Sequence, residues 1–159
     1  EYTSHYFYED LKKDIYLLVE LVNRNNELFI IFKSKYISNS ILRLIEEDKD
    51  LKKLYKKDQI IDLVHSSDFN MRNLVSPSEI GQIADICIGS SWGGTACYES
   101  YLRGSRAVLI KSGISVYDEI LSKNVLFNSL EDILEELKKL NYSRKELLES
   151  NLGKFKFDL

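Results

Sequence analysis

The chain of 159 residues has two cysteines, one proline and a net charge of −3, and each scarcity excludes something. Cys87 sits in an apolar run and Cys97 in a helical stretch, with neither metal-ligand spacing nor the density of a secreted disulfide scaffold, so both read as reduced core thiols and no metal is expected. Without an excess of positive charge the chain lacks the electrostatic footprint of non-specific DNA or RNA binding, although a local basic patch could still face a phosphate. Long hydrophobic runs are missing too. The longest clean one, Leu28 to Phe32, falls far short of the ~18 apolar residues that span a bilayer, and no signal peptide precedes it. A cytoplasmic protein with no transmembrane segment is expected, peripheral at most to the inner membrane face. No internal repeat or low-complexity linker breaks the chain, and its 44% apolar content suits one domain, residues 1–159, with a real core.

What is present alternates between two periods. Apolar residues at Leu11, Ile15, Leu18, Val19 and Val22 make a helical stripe over Glu9 to Val22. Leu28 to Phe32 is a continuous apolar run, as expected of a strand covered on both faces of a parallel sheet. Helical spacing returns from Ser40 to Tyr55, with a bend or break expected in the acidic stretch Glu46 to Asp50, and Ile60 to Val64 reads as a second strand. Ser76-Pro77-Ser78-Glu79 has the form of a capping box with proline at the first helical position, with Ile80 and Ile83 as the apolar face. Further strands are expected at Ile86–Ile88, Ala107–Ile110 and Val125–Phe127. Helices are expected over Gly93–Leu102 (stopped by Gly104), from Ser129 through Leu140, and from Ser143 to about Ser150. The alternation, with few hairpin signals, predicts an α/β fold: an open parallel sheet with helices on both faces.

The segment Ala84 to Glu99 carries the most chemistry. An apolar strand runs into Gly89-Ser90-Ser91-Trp92-Gly93-Gly94 and then a helix opening at Thr95. Small residues let backbone N–H groups approach an anion, and the helix points unpaired amides and its positive dipole end at the same place. Glu99 lies four residues after Thr95, so the two share a helix face. A hydroxyl near phosphates and a carboxylate one turn on suit a phosphorylated ribose. Lys33 and Lys35 follow the Leu28–Phe32 strand at its carboxyl end, where open α/β sheets place ligands, but lysines in a lysine-rich chain are also ordinary solvated side chains. Glu99 has the same double reading as ribose ligand or surface glutamate. Trp92 either stacks on a base or sugar or anchors its loop, and His65, just past a strand, is an acid–base candidate with no visible carboxylate partner.

The order of elements resembles the C-terminal, donor-binding half of GT-B glycosyltransferases, above all the bacterial surface-carbohydrate and capsule polysaccharide type and their glycerophosphotransferase relatives. The resemblance rests on Ile30 to Lys35, on Ser76 to Asp85, on Gly89-Ser90-Ser91 with Thr95 and Glu99, on Gly104 to Ile110, and on Val125 to Ile133. It implies a Rossmann-like domain in which Glu99 holds the donor ribose. Ser91, Gly94 and Thr95 would lie by the phosphates, Lys33 and Lys35 would face the pyrophosphate, and the loop before Pro77 would border the base. The donor would be a nucleotide-activated sugar or polyol phosphate, bound as substrate with no further cofactor. Two positions depart from the pattern: Lys33-Ser34-Lys35 stands where the family often has Lys-Pro-His or Lys-Pro-Lys, and Ser100 where alanine often follows the glutamate. The resemblance also implies a missing N-terminal acceptor-binding half. With no initiator Met at Glu1, the chain is expected to be part of a longer, two-domain transferase and to be inactive alone, its catalytic residues unassigned. Two other readings stay open: half of a sugar-nucleotide epimerase, or a non-catalytic α/β binding domain.

Overall fold

A computed structural model describes residues 8–33, 41–55, 59–63, 75–91, 94–111 and 121–155. The chain divides into two compact units, Glu1–Leu74 and Val75–Leu159.

In the first unit, helix α1 (Tyr8–Arg24) is followed by strand β1 (Ile30–Phe32), helices α2 (Ile41–Glu47) and α3 (Lys49–Leu54), and strand β2 (Ile60–Asp62). The strands pair in parallel, Ile30 opposite Ile60 and Phe32 opposite Asp62. The helical stripe read from sequence forms the core: Leu11, Ile15, Val19 and Val22 of α1 pack with Ile41, Ile45, Leu51 and Ile60. The expected break falls at Asp48, whose carboxylate accepts from the backbone N–H of Asp50 and Leu51 and so starts a new helix. One expectation needs correction. All three β1 residues are only half-buried, Phe29 before them is 66% exposed and Ile61 beside them 46% exposed, so this small sheet is not covered on both faces. The continuous apolar run had suggested full burial, but the helices of this unit pack on the side of Ile30, Phe32 and Ile60.

In the second unit, helix α4 (Pro77–Ile83) leads to strand β3 (Ile86–Ser90), helix α5 (Thr95–Leu102), strands β4 (Arg106–Ile110) and β5 (Leu126–Phe127), and helices α6 (Leu130–Lys139) and α7 (Arg144–Glu149). The sheet order is β3-β4-β5, parallel throughout, with Ile86 opposite Arg106 and Leu109 opposite Leu126. Alternation along β4 divides the core between its faces. Ala107 and Leu109 join Cys97, Val125, Leu126 and Phe155, whereas Val108 joins Ile133, Leu137, Leu147 and Leu152. Helices therefore flank both faces of this sheet, and the α/β class with parallel strands is borne out.

Local signals performed as expected at most helix ends. Ser76 accepts from Glu79 N–H while Glu79 accepts from Ser76 N–H, completing the capping box. Ser129 and Ser143 cap α6 and α7, and Gly104, at φ +105°, ends the helical path of α5. Ile83 is a correction: at 73% exposed it is not part of the apolar face of α4, which buries Ile80 and Gly81 instead.

Candidate functional site

The candidate site is the turn from β3 into α5. Its position follows from close backbone packing. A Cβ on Gly89 would lie 2.6 Å from Cys97 Sγ, and one on Gly94 would lie 3.3 Å from both methyl carbons of Leu109. The two glycines thus let α5 settle onto β3 and β4. Beneath α5, the rings of Tyr98 and Tyr101 meet Phe155 at 4.6 and 5.0 Å between centroids. Burial pushes the Cys97 thiol up to about 12, and its Sγ lies 3.9 Å from Val108 O. Cys97 is a packing residue, and both cysteines are free thiols.

At the carboxyl end of β3, Ser91 donates its backbone N–H to Ile110 O at 2.8 Å and is almost wholly buried. Gly94, also buried, is the N-cap of α5 and accepts from the N–H groups of Cys97 and Tyr98. Gly94 has no side chain with which to cap the first turn, and no acidic residue lies in that turn. In this α5 differs from α3, α4, α6 and α7, which are capped by Asp48, Ser76, Ser129 and Ser143. The positive end of the α5 dipole is left without a compensating group from its own cap. Thr95 and Glu99 are both exposed, one turn apart, and Glu99 makes no hydrogen bond to a described residue.

Of the sequence-derived site residues, Ser91, Gly94, Thr95 and Glu99 therefore share one strand–turn–helix unit. Two are backbone-packing positions and two present side chains to solvent. Lys33 belongs to the first unit, half-buried directly after β1. Lys35, His65, Trp92 and Gly93 lie outside the described residues. Sequence reasoning missed Lys111, an exposed cation at the carboxyl end of β4, next to the Ile110 carbonyl that binds Ser91 N–H. Its position in the chain carried the signal, since Lys111 follows an apolar strand as Lys33 does. Among the described residues, no group of three or more His, Cys, Asp or Glu could hold a metal, and no helix is long and apolar enough to cross a membrane.

The described residues thus define an α/β protein whose strands lie parallel in two small sheets flanked by helices, consistent with a Rossmann-like fold. Compared with known proteins, the chain matches no family model, and no curated protein or solved structure matches it significantly.

Proposed function

We propose that the second unit binds a nucleotide-activated sugar or polyol phosphate, as the donor-binding part of a cytoplasmic glycosyltransferase of surface polysaccharide biosynthesis. One observation carries this reading: α5 opens on an uncapped glycine at the carboxyl end of β3, with Thr95 and Glu99 exposed one turn apart on it. The first-turn amides and the helix dipole favour the diphosphate, the Thr95 hydroxyl donates to a phosphate oxygen, and Glu99 accepts from ribose hydroxyls. Lys111 adds a cation at the same end of the sheet. The chemistry supported is attack of an acceptor hydroxyl on the activated donor. The helix end and Lys111 would stabilise charge on the departing nucleotide, and an acceptor-binding half would supply the second substrate.

A thermal-shift screen with UDP, CDP, GDP, ADP and dTDP tests the binding claim. Ligand at ~100-fold over its dissociation constant stabilises by about 2.7 kcal/mol, a clear rise in Tm. Absence of any shift across the panel would favour a non-catalytic α/β domain. If nucleotide does bind, product analysis with the acceptor-binding half present separates transfer from epimerisation.

A further inference from the structure

The departure at Ser100 has a structural counterpart that bears on the same site. Ser100 is buried on the face of α5 that meets α4. A Cβ on Gly81 would lie 2.5 Å from Ser100 Cα and 2.7 Å from Ser100 O, so the two helices touch backbone to backbone at this point. Ser100 Oγ lies 2.9 Å from Pro77 O in α4 and 2.9 Å from Ala96 O in its own helix, and its single proton is shared between the two carbonyls. The hydroxyl therefore joins the first turn of α4 to the residue immediately after Glu99. A close contact with a buried polar bond fixes the rotation of one helix against another more tightly than apolar packing alone.

We propose that Ser100 is a positioning residue for nucleoside recognition, a reading that rests on the donor-binding role above. By locking α4 to α5, Ser100 sets the direction in which Glu99 leaves its helix and the place of Val75 and Ser76, which lead into α4. Both would bear on the ribose and base. The first turn of α5, at its other end, would hold the diphosphate without help from Ser100. Ser100 thus governs selectivity for a nucleoside diphosphate over inorganic pyrophosphate.

Calorimetric titration of wild type and Ser100→Ala with inorganic pyrophosphate and with UDP, CDP, GDP and ADP tests this. Ser100→Ala is expected to keep its far-UV circular dichroism and its pyrophosphate affinity while losing about tenfold in affinity for the nucleoside diphosphate, the scale of one hydrogen bond to a charged group. Ser100→Cys, similar in shape and a weaker donor, is expected to fall between the two. Glu99→Ala added to Ser100→Ala is expected to cost less than it does alone, because the two act on one contact. Unchanged nucleoside diphosphate affinity in Ser100→Ala, or an equal loss for pyrophosphate, would overturn the positioning role and leave donor binding standing. Failure of wild type to bind any of the nucleotides would overturn both.

Discussion

The two units share one kind of internal tie and differ in another. In the first unit, polar side chains reach between elements far apart in sequence. Asp48 accepts from Tyr16 Oη at 2.7 Å and pairs with Lys12 Nζ at 2.6 Å while capping α3, so one carboxylate ties α1 to α3. Asp62 of β2 accepts from Leu42 N–H at the start of α2, and Gln59 donates to the carbonyls of Asn25 and Leu28. The second unit has such ties too, from Tyr101 Oη to Phe155 O, from Asn124 Nδ2 to the carbonyls of Asn151 and Lys154, and from Arg144 to Asp85, but it adds close backbone contacts at positions where a side chain would not fit. Gly81 lies against Ser100 and Gly153 against Ala107, whose N–H donates to Gly153 O. The comparison teaches what the second unit adds to polar ties of this kind: positions where a single methyl group is too much volume.

Four expected outcomes sharpen or break that contrast. The largest effects are common to both units, because each has an apolar core. Ile15→Ala and Ile133→Ala, each removing a fully buried side chain, are expected to cost ~2–5 kcal/mol in urea unfolding. Next comes a pair of glycines in the second unit. At Gly153, φ is +66° and a Cβ would meet Ala107 N at 2.9 Å, so Gly153→Ala combines strain with overpacking and should cost about 2–4 kcal/mol. Gly104 has φ +105° and open space around it, so Gly104→Ala isolates the strain at about 1 kcal/mol. Equal costs for these two would mean that close packing contributes little to the second unit.

In the first unit the expected effect is smaller and depends on pH. The Lys12 ammonium, then the Tyr16 hydroxyl and the amides of Leu51 and Asp50, hold the Asp48 carboxyl well below the usual carboxylate range. The same carboxylate raises the Tyr16 phenol above its ordinary value. A carboxyl whose folded-state pKa is depressed stabilises the fold above its unfolded pKa of about 3.9 and loses that contribution as pH falls toward the folded value. Asp48→Ala should therefore lower the urea midpoint at pH 7, and the gap to wild type should narrow below pH ~4. A gap that stays constant with pH would assign the effect to helix propensity instead of the ion pair.

Much of the fold was legible because its signals are local. Ser76, Ser129 and Ser143 announced helix starts, Gly104 announced a stop, and the period of α1 announced its buried stripe. Contacts between elements were harder to read. The hidden Gly81–Ser100 approach and the exposure of Ile83 share one cause: glycine at the centre of α4 turned that helix so that its backbone, not its second isoleucine, met α5. A glycine inside a helical pattern is the one clue that was available, since it weakens the helix unless packing requires it. The strand–turn–helix at Ser91 to Glu99 was readable as geometry. Lys111 had a signal in its place after an apolar strand, but only the pairing of β3 with β4 brings the residue after Ile110 beside Ser91.

The central claim is that α5 presents Glu99 to a ribose next to a diphosphate held at Gly94 and Thr95. Titration of wild type and Glu99→Ala with the nucleoside diphosphate that gives the largest thermal shift tests it most directly. The account predicts a loss of roughly 1.5–3 kcal/mol in Glu99→Ala, the cost of removing hydrogen bonds to a charged group, with an unchanged melting temperature in the absence of ligand because the side chain is exposed. Equal affinity of the two proteins would contradict it and leave Glu99 a solvated surface residue.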